Sequence, residues 1–311
     1  MRENLLSDAD PLSDVISLVK ARSLITGRLA AGGPWAFASS GPEEVKFLAI
    51  VKGTCYIQWE GDPSPLCLET GDVILLTDKR SFVIGSDLSV PPADSATLRE
   101  ATVDGVVTIG RGDEFLMLGG HIHFESAQAS LLVDALPVLV HVRGSSPEAA
   151  VVQQFLHQLY GELEAERAGN RLASTMLTQL IFLHALRSHL KDSVEANPGW
   201  LRALGDDRIA PALRLIHGEP GRAWSLEELA RSAYLSKSAF ALRFKTVAGV
   251  APLAYLTNWR MRLAEKALLE GGTPVSSLAY SLGYTSESAF SNAFKRVVGM
   301  APKHYRSALR A

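Results

Sequence analysis

The apolar residues of this chain change their spacing along its length. After Asp10-Pro11, Val15, Ile16, Leu18 and Val19 recur at helical intervals and predict a helix capped by the aspartate. From RSLITGRLA to EFLMLGGHIHFES the apolar residues fall instead in short alternating or continuous runs, broken by turn residues. That spacing predicts an all-β sandwich or barrel. Beyond Pro147 the period is helical again. Val152, Phe155, Leu156, Leu159 and Leu163 line one helix, which the segment ERAGN ends. Leu172, Met176, Leu180, Ile181, Leu183 and Leu190 line the next, and each stripe is wide enough to pack on the barrel or on a second subunit. Asn197-Pro198-Gly199 reads as a linker, with GDDRIAPALRLIHGE supplying the first helix of a C-terminal half.

That half contains a helix-turn-helix from Thr273 to Arg306. Thr273 is placed to cap a helix whose first turn holds Pro274, and Val275, Leu278, Ala279 and Leu282 make its stripe. Gly283 supplies a left-handed turn, Thr285 or Ser286 caps a second helix with Phe290, Phe294 and Val297 inward, and Gly299 stops it. Trp224 to Tyr255 is a diverged copy. Leu229, Ala230 and Ser232 recur as Leu278, Ala279 and Ser281. After one inserted residue, Ser238-Ala239-Phe240, Phe244-Lys245, Val247, Gly249, Ala251-Pro252 and Tyr255 recur fifty residues on. Between the copies a helix begins near Pro252, with Leu256, Trp259, Leu263, Ala267 and Leu268 as its stripe and Gly271-Gly272 as its end. Trp259 therefore reads as a core anchor rather than a base-stacking group.

The outward faces of the two second helices differ in chemistry. The later one presents Glu287, Ser288, Ser291, Asn292, Lys295 and Arg296, short hydrogen-bonding groups followed by cations. That order suits a helix reading base edges with its N-terminal part and holding phosphates further along. Asn292 is the candidate for a bidentate contact to adenine, and Glu287 either accepts from cytosine or stabilises the helix dipole. In the earlier copy Ser236 caps, and Lys237, Ser238, Ala241, Leu242 and Lys245 face outward. This is an apolar reader, suited to thymine methyl groups. The candidate base-reading set is thus Ser238, Ala241, Leu242, Glu287, Ser288, Ser291 and Asn292; Lys237, Lys245, Lys295, Arg296 and Lys303 are assigned to phosphates. Tyr234 stands where the sister copy has Gly283, so a wider or right-handed turn is expected there.

Charge supports this division of labour. The net charge of −2 hides fifteen Lys/Arg against six Asp/Glu from Arg208 onward, a local +9 against −11 for the first 207 residues. Phosphate backbones attract the basic half and repel the acidic one. No charged-then-apolar segment opens the chain and no run of ~18 uncharged apolar residues occurs, so the expected location is cytoplasmic, without a membrane. His121 and His123 share a strand face, but with no third ligand evident they read as a solvated or locally satisfied pair, and no metal is expected. Cys55 and Cys67 flank a turn near Gly61-Asp62; a symmetric register brings them opposite one another, while a shift of one residue separates them. Buried small hydrophobes are the default reading of such cysteines, a redox sensor the sharper one. No nucleophile–base pair, phosphate loop or metal cluster argues for catalysis, and no cofactor is implied.

The two motifs and the helix joining them resemble the DNA-binding region of the AraC/XylS family of bacterial transcription regulators. GTCYIQWEGDPSPLCLETGDVILL resembles the cupin-type jelly roll that serves as sensor in one branch of that family. The resemblance implies an α+β chain: a cupin-like sensor domain over 1–143, a helical connector over 147–192, and a DNA-binding domain over 205–311 with motifs at 224–250 and 273–300. It further implies two recognition helices in successive major grooves of double-stranded DNA, connector helices that dimerise, RNA polymerase as a partner, and a small-molecule effector in the barrel. At the usual cupin ligand positions, however, stand Phe47-Leu48-Ala49 and Ser81-Phe82-Val83. A metal-dependent cupin enzyme fused to a DNA-binding module, and a redox-responsive regulator working through Cys55 and Cys67, are the alternatives.

Overall fold

The computed structural model describes residues 9–100, 102, 105–124, 129–147, 149–165, 167–192 and 198–308. Glu166 of the expected helix terminator and Asn197 of the expected linker lie outside these residues. The chain forms two compact units, one of Ala21–Glu125 with Leu136–Asp192, the other of Met1–Lys20 and Ser126–Ala135 with Ser193–Ala311.

The first unit is a sandwich of two sheets. Its strands are β1 (Ala21–Gly32), β2 (Ala36–Ser39), β3 (Val45–Lys52), β4 (Thr54–Trp59), β5 (Leu66–Glu69) and β6 (Val73–Leu76). They continue as β7 (Phe82–Gly85), β8 (Ala93–Asp94), β9 (Val106–Gly110), β10 (Phe115–Phe124) and β11 (Leu139–Val142). One sheet runs β11-β6-β3-β10-β1-β9 and the other β5-β4-β7-β2-β8. Trp35, Phe37, Leu48, Ile57, Ile74 and Phe115 fill the space between them. The helices α4 (Ala149–Ala165) and α5 (Asn170–Asp192) cover the outer face of the larger sheet, which is why β6 is buried at every position. Among the described residues no long helix lies on the smaller sheet, and β4 alternates exposed and buried as a half-wet strand must.

Two expectations for this unit are corrected. β4 and β5 pair with Cys55 opposite Leu68 and Cys67 opposite Tyr56, the register shifted by one residue. Alternation then sends Cys55 into the core, as the buried-hydrophobe reading has it, and Cys67 to the surface, against that reading. The register also separates the two thiols, so the redox reading through a Cys55–Cys67 pair falls. On α5, Leu172, Met176 and Leu180 are exposed rather than turned to the barrel. The buried face mixes the small Ser174, Thr178 and Ala185 with the large Ile181, Phe182 and Leu186. Thr178 satisfies its hydroxyl on the carbonyl of Ser174 at 2.7 Å.

The second unit is helical; the short α2 (Ser95–Glu100) belongs to the sandwich. It comprises α1 (Pro11–Val19), α3 (Ser130–Val133), α6 (Trp200–Gly205), α7 (Ala210–Gly218), α8 (Leu226–Ser232) and α9 (Lys237–Ala248). The series ends with α10 (Pro252–Glu270), α11 (Val275–Ser281), α12 (Glu287–Val298) and α13 (Pro302–Ala308). Asp10 caps α1 as expected, accepting from the backbone N–H of Leu12 and Ser13. The long helix α10 begins at Pro252, stops at Gly271 and buries Leu256, Trp259, Met261, Ala264 and Leu268. Trp200 donates its indole N–H to the carbonyl of Leu131 at 2.7 Å, tying α6 to α3 within this unit.

Candidate nucleic-acid interface

Both helix-turn-helix units are built by side chains that settle backbone groups at helix ends. In the first, Ser225 and Glu228 form a reciprocal capping box at the start of α8. Ser236 then caps α9 by accepting from the N–H of Ala239, and Gly249 closes it in the left-handed region. In the second, Ser286 caps α12 through the N–H of Ala289 and Gly299 closes it in the same way. Thr273 does not cap α11: Pro274 takes the cap position and offers no side-chain acceptor.

The internal repeat is realised as a repeated aromatic core. Phe240, Phe244 and Tyr255 pack edge to face at 5.6 and 5.8 Å between centroids; in the second copy Phe290 and Phe294 are tilted at 5.8 Å and Phe294 meets Tyr305 edge to face at 5.5 Å. These rings hold α9 on the linker helix α10, which carries Tyr255, and α12 on α13, which carries Tyr305, and leave their opposite faces to solvent.

On the free face of α9, Lys237, Ser238, Leu242 and Lys245 are exposed and Ala241 half-buried. Leu242 is 71 % exposed, a position at which water gains nothing from an isobutyl group. On α12, Ser288, Asn292, Lys295 and Arg296 are exposed, with Glu287 and Ser291 partly covered. Each helix thus brings its candidate readers together on one side. Some cations already have acidic partners: Lys237 pairs with Glu227 at 2.8 Å and Lys303 with Glu287 at 3.7 Å. Both pairs are solvent-exposed and hold little energy, so a phosphate oxygen can compete for either lysine. Arg296 also borders a cavity of about 570 Å³ with Asn258, Trp259 and Arg262.

The turn of the first unit departs from expectation. Tyr234 adopts φ +54, the left-handed region rather than a right-handed or widened turn, in parallel with φ +80 at Gly283. Its ring is 87 % exposed, so it meets no steric obstacle and bears only the backbone cost of that conformation. At Gly283 a Cβ would collide with the carbonyl oxygen of Gly221, and only glycine fits.

Three structural side chains escaped the sequence reading. Arg243 grips Asp206 through Nε at 3.1 Å and Nη2 at 2.8 Å, anchoring α9 to the loop ahead of α7. Arg260 donates to the carbonyls of Pro220 at 2.6 Å and Arg222 at 2.8 Å, fastening α10 to the segment that enters the first motif. His217 is fully buried between α1 and α10, and burial holds its pKa below the ordinary histidine value against the pull of Asp14. No periodicity signals any of these, because each joins residues distant in sequence.

The sandwich holds its own cavity of about 370 Å³, walled by Leu29, Phe37, Leu48 and Met117 and carrying Arg28, Lys46 and His121. His123, two residues on, pairs instead with Glu44. No group of three or more metal-ligating side chains occurs among the described residues. Among them, too, no single helix is long and apolar enough to cross a membrane.

Comparison with known proteins agrees with both units. A family model described as a cupin matches residues 10–191, and one described as a helix-turn-helix domain matches 229–308. An AraC-like transcription regulator of Streptomyces antibioticus is 41 % identical over 275 residues, 88 % of this chain and 91 % of that protein. The HTH-type transcriptional regulator AlkR of Acinetobacter baylyi is 28 % identical over 282 residues, again 88 % of this chain and 91 % of the relative. Among solved structures, the DNA-binding domain of AdpA in complex with a target DNA is 30 % identical, with a TM-score of 0.33. It covers 34 % of this chain, which spans 95 % of it.

Proposed function

Because the chain belongs to the AraC family of DNA-binding transcription regulators, with a cupin domain ahead of its helix-turn-helix region, we propose that α9 and α12 read two successive major grooves on one face of the duplex. One observation carries this: two helices with the same serine cap, the same glycine stop and the same Phe-Phe-Tyr packing each leave one face exposed. Asn292 pairs with an adenine edge, Ser288 and Ser291 bond bases nearby, and Ser238, Ala241 and Leu242 form an apolar surface for thymine methyl groups. Glu287, facing Lys303, serves the helix N-terminus more than a cytosine. Lys237, Lys245, Lys295, Arg296 and Lys303 hold phosphates and supply the salt-dependent part of the affinity.

The barrel cavity is the effector site of this reading. Its walls are apolar, it carries three nitrogen cations or donors, and none of its described lining residues is acidic. It therefore suits a small, largely apolar molecule, bound without catalysis. The exposed Leu172, Met176 and Leu180 of α5, spaced four residues apart on one helix face, suit a homodimer contact. The regulator works in the cytoplasm and acts on RNA polymerase bound nearby.

The test is a mobility shift of the full chain on fragments of its own upstream DNA, in excess competitor and across a range of salt. A discrete footprint over two successive major grooves supports the reading. Binding that ignores sequence at every salt concentration rejects it.

A further inference from the structure

His217 is where three helices meet. Its Nδ1 lies 3.1 Å from a carboxylate oxygen of Asp14 on α1, and its Nε2 lies 2.8 Å from the hydroxyl of Tyr255 on α10. The ring stacks on Trp259 of α10 at 4.0 Å. A neutral imidazole has one N–H and one acceptor nitrogen, and the carboxylate of Asp14 only accepts. The proton therefore sits on Nδ1, which donates to Asp14 and leaves Nε2 to accept from Tyr255. Tyr255 in turn meets Phe244 edge-on at 5.8 Å, and Phe244 is a fully buried anchor of α9.

We propose that Asp14 and His217 are positioning residues for the first recognition helix. The carboxylate fixes the imidazole tautomer, the imidazole fixes the Tyr255 hydroxyl, and the tyrosine ring sets how α9 sits on α10. The second motif repeats the aromatic packing through Tyr305 and Phe294, but among the described residues no histidine bonds to Tyr305. This hydrogen-bonded link therefore runs from the N-terminal helix to the first motif. A single residue, Lys20, separates α1 from β1, which carries Arg28 and Leu29 of the barrel cavity. That the coupling reports effector occupancy rests on the effector reading above; the positioning itself does not.

The experiment uses the full chain with Asp14→Asn, Tyr255→Phe and the double variant. Amide hydrogen exchange is measured along the chain, together with affinity for the DNA fragment bound by the parent. We expect Asp14→Asn to speed exchange about tenfold in α9 and the first half of α10, leaving α11 and α12 unchanged. We also expect each single variant to weaken DNA binding, with the double variant losing little more than either alone. Faster exchange confined to α1, or losses that simply add, would overturn the proposal. If no upstream fragment binds the parent, the reading of the motifs fails while the exchange pattern still decides this one.

Discussion

Leu242 and Asn292 stand at the same place in their helices, each six residues after the capping serine, and both side chains project into solvent. One is mute in hydrogen bonding and the other can both donate and accept. Asn292→Ala is expected to relax specificity at one base pair at a cost of about 1–3 kcal/mol, whereas Lys295→Ala weakens all sequences alike and flattens the salt slope. Leu242→Ala should lose discrimination only where the site carries thymine. Competition binding against single-base variants of the target separates the three; equal losses on specific and scrambled DNA for Asn292→Ala would sink the assignment.

The turn residues make opposite demands. Gly283→Ala adds both a strained φ and a collision with Gly221, and is expected to cost about 2 kcal/mol or more. Tyr234→Gly removes left-handed strain from an exposed residue and should stabilise the unit by up to about 1 kcal/mol. Denaturant unfolding of the two variants checks the sign of each.

Burial pushes the thiol of Cys55 up to about 12, while Cys67 lies at the surface. A thiol reagent should label Cys67 alone in the folded protein and both residues after denaturation. Mild oxidant should produce no disulfide within one chain. Mass spectrometry of the native adduct reads the outcome directly.

The pKa of His217 is lowered by desolvation, so the folded unit favours the neutral ring. The unfolded chain binds the extra proton first. Stability from this site is therefore complete above the ordinary histidine pKa near 6.5 and is lost as pH falls through the lower folded value. Thermal unfolding from pH 7.5 downward should show a decline that His217→Gln reduces.

If the exposed leucines of α5 cover a second subunit, replacing Leu172 and Met176 by glutamate should shift sedimentation to the monomer without lowering the unfolding temperature. Their exposure predicts little cost to the fold itself.

Much of this architecture is legible in the chain. The duplicated motif, its serine caps and glycine stops, and the linker helix from Pro252 to Gly271 all follow from local rules that the tertiary structure does not override. The face of α5 is not legible, because large apolar residues lie on both sides: Ile181, Phe182 and Leu186 are buried with Ser174 and Thr178, while Leu172, Met176 and Leu180 face outward. The cysteine register hangs on one residue of turn geometry, which composition does not specify. Nor does any pattern announce Asp14 with His217, or Asp206 with Arg243, since such contacts form only once the helices are assembled.

The close approach of Gly283 to Gly221 bears on how freely the duplicated halves can be exchanged. A chimera carrying a second copy of the first motif in place of the later one would set a tyrosine where Gly221 leaves room for no side chain at all. The halves share a blueprint without being interchangeable parts, and under the proposed reading altered target choice is to be sought in the faces of α9 and α12 rather than in wholesale transplantation of a motif.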